Sequence, residues 1–446
     1  ILTAKVDGSN IQSGNTVEHG KNIIFAASPT SEAWKVASWT KDNNAVNGTN
    51  GAYTLSVTAN TTVKVTFYQP EITDTAGSTT AWRALLNAVK NAPNGATLKI
   101  SDTITATNNG SGNTANWGEI EIDKNLTIEA KSGTATLDAN ASALGANAHR
   151  IFKVSSGKTL TLKNLTLKNG KVTGTDEQGC GGGIYTIKTS SYPVVTISGG
   201  TIGDTDTDKA NKATGSDGNG GGIYVGEFCT LKLQDSTGDG VRIIGNQAAK
   251  GGGVYAKNTI VSMQGRTQIE VDNNDVYLDN NCKIELVGSL TSTAPVARIT
   301  VPNDKYQTTT KVLTGSASAV STEYRKFTVT PKGNKYWTVG SDGLLTNDKT
   351  AILNNITKDQ IKAAIEAADS SMIYSESKII TDRTILHGKL ILYMTATRDN
   401  YGIMHVTEVN NTSNGGGGHI KFNYKTFKYY EGNVQQENNI QVTGGA

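Results

Sequence analysis

Short runs in which apolar and polar residues alternate fill the middle of the chain. They include Thr97-Leu98-Lys99-Ile100, Glu119-Ile120-Glu121-Ile122, Leu126-Thr127-Ile128, Leu160-Thr161-Leu162, Leu165-Thr166-Leu167, Thr230-Leu231-Lys232-Leu233 and Lys283-Ile284-Glu285-Leu286. A period of two is the mark of a β-strand with one buried face, and the Asn, Gly, Ser and Thr clusters between the runs supply corners. Three near-copies of one phrase punctuate this region: Gly181-Gly182-Gly183-Ile184-Tyr185, Gly220-Gly221-Gly222-Ile223-Tyr224 and Gly251-Gly252-Gly253-Val254-Tyr255. They recur at roughly thirty to forty residues, within the range of repeat architectures. A fourth, weaker copy, Asn274-Asp275-Val276-Tyr277, follows after a shorter interval.

A single coil of such strands cannot bury its own apolar residues, whereas stacked coils pair backbone to backbone at about 4.8 Å and enclose a continuous core. The pattern therefore predicts a mainly β protein, a right-handed parallel β-helix of roughly nine to twelve coils. The glycine triplets fit corners that need positive φ or a close backbone approach. Because neighbouring strand residues face opposite ways, Ile184, Ile223, Val254 and Val276 are expected inside. Tyr185, Tyr224, Tyr255 and Tyr277 then stand outside as an exposed aromatic row, a candidate ligand-binding surface, or else stack on one another to stabilise the coils. Ahead of the first coil, Trp82, Leu85, Leu86 and Val89 form one apolar helical stripe ending near Pro93-Asn94-Gly95, the expected N-terminal cap.

The two ends differ in texture. Residues 1–70 read as a small β module, with strands over Val17–Ala26, Trp34–Trp39 and Tyr53–Phe67 around an Asn47–Gly51 turn. The phrases Val17-Glu18-His19-Gly20-Lys21, Trp34-Lys35-Val36-Ala37-Ser38-Trp39 and Tyr53-Thr54-Leu55-Ser56-Val57-Thr58-Ala59-Asn60 resemble the internalin B-repeat module of bacterial surface proteins. Residues 71–348 hold the capping helix and the β-helix. Residues 349–446 read as a third domain: a capping box at Thr357-Lys358-Asp359-Gln360 opens a short helix to about Ala368, followed by antiparallel strands over Thr384–Thr395, Tyr401–Val409, His419–Phe427 and Asn439–Thr443.

Composition narrows function. With 446 residues, 36% hydrophobic, and a formal net charge of +3, the chain is long enough for several domains and too nearly neutral for an electrostatic nucleic-acid binder. No apolar run is long enough to cross a bilayer and no signal sequence opens the chain, so a membrane is expected to be reached only through an anchor outside it, for instance a lipidated residue upstream of Ile1 in an outer-membrane lipoprotein. Cys229 and Cys282 precede strands two coils apart, beyond disulfide reach, and Cys180 has no evident partner, so three buried, free thiols are expected.

Ile243-Ile244-Gly245-Asn246-Gln247-Ala248-Ala249-Lys250-Gly251-Gly252-Gly253-Val254-Tyr255 resembles the paired repeat of bacterial polymorphic outer membrane proteins, with Asn246 at the family asparagine and Ile243 and Gly253 departing from its Phe and Ala. The resemblance spans roughly 179–286 and implies an adhesin-like, surface-displayed or secreted bacterial protein. It is expected to bind a host extracellular-matrix or cell-surface protein or a glycan, and not nucleic acid. Parallel β-helices also carry polysaccharide lyases and glycoside hydrolases, so a carbohydrate-active enzyme is the alternative and catalysis is left undecided, with a non-catalytic role preferred. No cofactor is indicated, and no catalytic residue is nominated. Asp204, Asp206 and Asp208 are the candidate cation ligands, but the segment has Lys209 and Gly215 where a calcium loop needs Gly and Glu, so a solvated loop is preferred over a metal site. His19, His149, His387, His405 and His419 are scattered without metal-ligand spacing.

Overall fold

The computed structural model describes residues 1–29, 33–74, 79–235, 240–270, 275–332, 337–348, 390–394, 400–410, 419–428 and 434–443. The chain forms two compact units, one comprising Ile1–Lys305 with Lys311–Thr328, the other Tyr306–Thr310 with Val329–Ala446.

The first unit is mainly β, with long parallel sheets. One sheet has thirteen strands and contains the path Glu71–Thr73, Ala96–Ser101, Leu126–Ala130, Thr159–Lys168, Val194–Gly203, Thr230–Gln234, Ile260–Gly265, Lys283–Leu290 and Leu313–Gly315. A second has eight strands, from Ile120–Ile122 through Phe152–Val154, Ile184–Thr186, Ile223–Val225, Val254–Lys257, Val276–Asp279 and Ala297–Thr300 to Phe327–Val329. The chain visits the two sheets in turn, adding one strand to each per repeat, which is consistent with a parallel β-helix. The nine strands along the path of the large sheet fall at the lower end of the nine to twelve levels expected, and the second sheet has eight, because the repeats run longer than a minimal coil, with extra segments such as Asp204–Ala213 between strands.

Alternation decides which side chains are buried. Leu98, Ile128, Leu160, Leu231, Val261 and Ile284 lie in the interior at 3% exposure or less, with Thr and Lys between them facing out. Gly220 shows why the corner excludes other residues: its φ is +65°, and a Cβ there would sit 2.4 Å from the Ile223 carbonyl oxygen. Asn246, the residue singled out by its motif, is buried with Asn211 in a ladder. Asn211 Nδ2 donates to Asn246 Oδ1 (3.0 Å) and to the Leu167 carbonyl (2.9 Å), and Asn246 Nδ2 donates to the Ile202 carbonyl (2.8 Å). These amides satisfy backbone groups that the turns leave unpaired inside.

The helix forms where its apolar stripe predicts, over Ala81–Asn91, with Ala81, Trp82, Leu85, Ala88 and Val89 buried. It packs against Val63–Tyr68, Glu71–Thr73, Thr103–Thr105 and Ile120–Ile122. Its ends are satisfied from outside: Arg83 N–H donates to Asn116 Oδ1 (2.9 Å), and the Lys124 ammonium donates to the carbonyls of Lys90 (2.7 Å) and Val89 (3.3 Å).

At the N-terminus, Ser9–Ile11, Leu2–Val6, Asn22–Ala27 and Ala52–Ser56 make one antiparallel sheet, while Asn44–Val46, Lys35–Lys41 and Val63–Tyr68 make another. The expected run over 53–67 is thus two strands in different sheets, and the strand expected from Val17 begins at Asn22. The hairpin at Asp7-Gly8 went unread although both residues take positive φ, the chemistry of a tight two-residue turn.

In the second unit, Leu390–Met394, Asn400–Asn410, His419–Lys428 and Val434–Thr443 form a four-stranded antiparallel sheet in sequence order, as the alternating runs predict. The helix expected over 357–368 lies outside the described residues.

Candidate functional site

The four tyrosines align as expected in register and not as expected in exposure. Ile184 pairs with Ile223, then Val254, then Val276, and Tyr185, Tyr224, Tyr255 and Tyr277 pair in the same order. The aliphatic row is fully buried, but so is the tyrosine row, from 1% exposed at Tyr185 to 8% at Tyr277. The expected exposed surface is therefore corrected to a second, buried layer. Successive ring centroids lie 5.3 Å apart, with interplanar angles of 26°, 7° and 10°.

What covers the rings explains the burial. Cys180 and Ile187 pack against the stack, the Arg150 guanidinium lies 4.7 Å from the Tyr185 ring centre, and the Lys250 ammonium 5.4 Å from that of Tyr277. The turn Asp176–Gly179 brings Glu177 to the phenols of Tyr185 (3.4 Å) and Tyr224 (3.5 Å), and Lys257 pairs with the same carboxylate at 3.0 Å. Tyr255 donates to Asp279 at 2.7 Å. Burial, followed for Tyr185 and Tyr224 by the nearby Glu177 charge, pushes these phenols well above their ordinary range, so they stay protonated donors. The arrangement is a stacked ladder that stabilises adjacent strands.

The acidic insertion is organised by its lysines. Asp204 pairs with Lys168 (3.2 Å) and Asp206 with Lys209 (3.0 Å), while the amides of Asp206 and Asp208 donate to the carboxylates two residues earlier. Burial pushes the Asp204 carboxyl up, but the Asp206 amide and the Lys168 ammonium together outweigh it and hold it below its usual range. Lys209 does the same for Asp206, through a hydrogen bond. Among the described residues, no group of three His, Cys, Asp or Glu side chains comes together as a metal cage.

A site that the sequence reading missed lies on the outer face of the large sheet. An open groove of about 550 Å³ runs across three coils, with Tyr192 and Phe228 at one end. Their rings are 58% and 47% exposed, tilted at 58° with centroids 6.0 Å apart, and the Lys188 ammonium lies over both, 4.8 and 4.3 Å from the ring centres. The groove floor is set by register. Thr230, Ile260 and Lys283 form one outward row, and Lys232, Ser262 and Glu285 the next. Ser262 Oγ donates to Glu285 Oε2 at 2.9 Å. Corner residues Asn258 and Asn281 complete the wall.

Phe228 is the anomaly of that wall. It precedes Cys229 as Asn258 precedes Thr259 and Asn281 precedes Cys282, so the three occupy one corner position of consecutive coils. All three have positive φ, 58° at Phe228, 47° at Asn258 and 56° at Asn281. Asn tolerates this left-handed conformation, whereas a bulky aromatic is strained there by about 1–3 kcal/mol. The signal was legible in principle: aligning Glu227-Phe228-Cys229 with Lys257-Asn258-Thr259 and Asn280-Asn281-Cys282 shows a phenylalanine where the coil chemistry asks for asparagine.

No protein-family model matches the chain, and no curated protein matches it, so neither the internalin B-repeat nor the polymorphic outer membrane protein resemblance gains support there. Among solved structures the chain is similar to the tailspike protein gp49 of Acinetobacter baumannii bacteriophage Fri1, a capsular polysaccharide depolymerase. The identity is 10% and the TM-score 0.14, over 78% of this chain and 59% of that one, so the chain spans less than two thirds of the tailspike's length. A likeness at that TM-score carries no argument about either fold or activity.

Proposed function

We propose that this chain is a non-catalytic, adhesin-like protein of the bacterial surface or of a secreted pool, and that the groove beside Tyr192 and Phe228 binds a glycan of a host or neighbouring cell. The scaffold in this reading is a closed, right-handed parallel β-helix between two small β-containing domains, capped at its first coil by the helix Ala81–Asn91, with any membrane anchor outside this sequence. The observation that carries the reading is Phe228, an exposed aromatic held in a conformation that asparagine fills in the next two coils. Backbone strain retained at an exposed position points to use of the side chain. Flat rings flanked by Asn, Ser and Thr groups suit an extended saccharide, whose ring faces stack and whose hydroxyls need hydrogen-bond partners.

The groove chemistry also supports binding over glycoside hydrolysis. Glycoside hydrolysis by the usual routes takes two carboxyl groups flanking the bond. Among the described residues lining this groove, Glu285 is the one carboxylate, and it already accepts from Ser262.

The test is a glycan array probed with the wild-type chain and with Tyr192→Ala and Phe228→Ala. Retention of specific glycans by the wild type and their loss in both variants is the expected result. Binding that ignores both substitutions, or chain shortening of a retained polysaccharide by the purified protein, would overturn the proposal, the latter in favour of the enzyme reading.

A further inference from the structure

The charges in the groove define its ligand more closely. Several lysines elsewhere on this unit are held in ion pairs, among them Lys163 with Glu129, Lys168 with Asp204, Lys209 with Asp206, and Lys257 with Glu177 and Glu227. Lys188, Lys232 and Lys283 form no ion pair among the described residues; Lys232 and Lys283 line the groove with the single carboxylate Glu285, and Lys188 lies over the Tyr192 and Phe228 rings at its end. A cleft lined by one sign of charge raises the local concentration of ligands of the other sign.

We infer that the groove selects a carboxylated polysaccharide carrying about one acidic group per sugar ring, with Lys232 and Lys283 as its charge partners and Tyr192 and Phe228 as its stacking platform. The inference rests on the groove being the binding face. Register supplies the spacing. Lys232 belongs to the coil of Thr230, and Lys283 lies two coils further on, so the two ammonium groups are anchored about 10 Å apart along the stack, two strand spacings. That separation suits charges borne on a repeating chain lying along the coils rather than on one compact anion.

Glu285 sets the charge density. It stands two residues from Lys283 on the same outward face and leaves the groove only modestly positive. A chain with several sulfates per ring would place anions against this carboxylate, whereas a chain with one carboxylate per ring lets Glu285 accept a sugar hydroxyl through the oxygen that Ser262 does not use. Lysine also suits the task as a compact, mobile point charge on a flexible stem.

The experiment measures binding of the full chain to four polymers: polygalacturonate, its carboxyl-reduced form, dextran and dextran sulfate. Polygalacturonate should bind most tightly, weaken as salt rises, and lose at least tenfold in affinity on carboxyl reduction. The Lys232→Ala/Lys283→Ala variant should lose a similar factor for polygalacturonate with an unchanged melting temperature, and its residual affinity should match that for the reduced polymer. Equal binding of the reduced polymer, or indifference to the double lysine change, overturns the charge inference while leaving the groove as the binding face, provided that Phe228→Ala still abolishes it. Tighter binding of dextran sulfate overturns the density argument. Binding that survives both Phe228→Ala and Tyr192→Ala removes the groove itself, and no binding to any of the four sinks the carboxylated-polymer inference.

Discussion

The rings of Tyr224 and Tyr255 lie within 7° of parallel with centroids 5.3 Å apart, on residues paired in register between adjacent strands. A face-on stack at that spacing follows directly from the strand separation, since each coil presents the same side chain one step along. Both rings are buried, so the row acts as a second packing layer beside the aliphatic interior.

Truncating the stack should therefore damage the fold as truncating the interior does. Tyr224→Ala is expected to cost about 3–5 kcal/mol, the range for removing a buried aromatic ring. Tyr224→Phe should cost under about 1 kcal/mol, because the ring stays and the hydroxyl contact to Glu177 is long, at 3.5 Å. Val254→Asp should cost several kcal/mol by burying an unpaired charge. Chemical denaturation of the three variants checks this; a Tyr224→Ala variant within 1 kcal/mol of wild type would mean that the ring is solvent-facing after all.

These rows show what the sequence could and could not disclose. The pairing of Ile184 with Ile223, Val254 and Val276 was readable because each follows a glycine corner at a fixed offset, and corners fix register. The side on which the tyrosines lie followed from the same alternation. Their burial did not, since it depends on Glu177, Cys180, Arg150 and Lys250, which come from turns and other coils and carry no local signature of covering anything. The groove was hidden for a related reason. Tyr192, Phe228, Lys232 and Lys283 are far apart in sequence and become neighbours only when the coils stack.

Phe228 separates stability from function. Phe228→Asn places in the left-handed corner the residue that Asn258 and Asn281 already place in the next coils, so it should relieve strain and raise stability by about 1 kcal/mol, while removing the exposed ring. A higher melting temperature with loss of glycan binding is the expected pair of results. A fall in stability would show that the ring, through Tyr192 and Lys188, contributes more to the fold than its backbone strain removes.

His149 should set part of the acid sensitivity. Its Nδ1–H donates to the Arg150 carbonyl at 2.7 Å, its ring sits 5.4 Å from that of Trp82, and its Nε2 is buried without a partner. Burial lowers its pKa to about 4, with the backbone hydrogen bond opposing the shift only in part. A folded pKa below the unfolded value of about 6.5 means that the neutral ring favours folding above pH 6.5, and that this contribution fades as pH falls toward 4. The loss is about 3 kcal/mol across that window. His149→Phe, which keeps an aromatic beside Trp82 and cannot titrate, should flatten the stability profile there. An unchanged acid limb would place the sensitivity elsewhere.

The cysteines test the coil register itself. Cys180, Cys229 and Cys282 are free and buried. Thr230 pairs with Ile260 and Ile260 with Lys283, so the residues before them, Cys229, Thr259 and Cys282, occupy one position in three consecutive coils. Thr259 fills the gap between the sulfurs: its hydroxyl donates to the Cys229 carbonyl, and its amide donates to Cys282 Sγ at 3.2 Å. Two strand spacings, about 10 Å, exceed the Cα separation that a disulfide spans. Burial also pushes the Cys282 thiol up to about 11, leaving almost no thiolate at neutral pH. Alkylation followed by mass measurement should show three modified sites in denaturant without reductant, and slow labelling of Cys282 in the native protein. A Cys229–Cys282 bridge would require the two strands to be neighbours, which would delete the Thr259 coil from between them and shift every tyrosine pairing on the same stack.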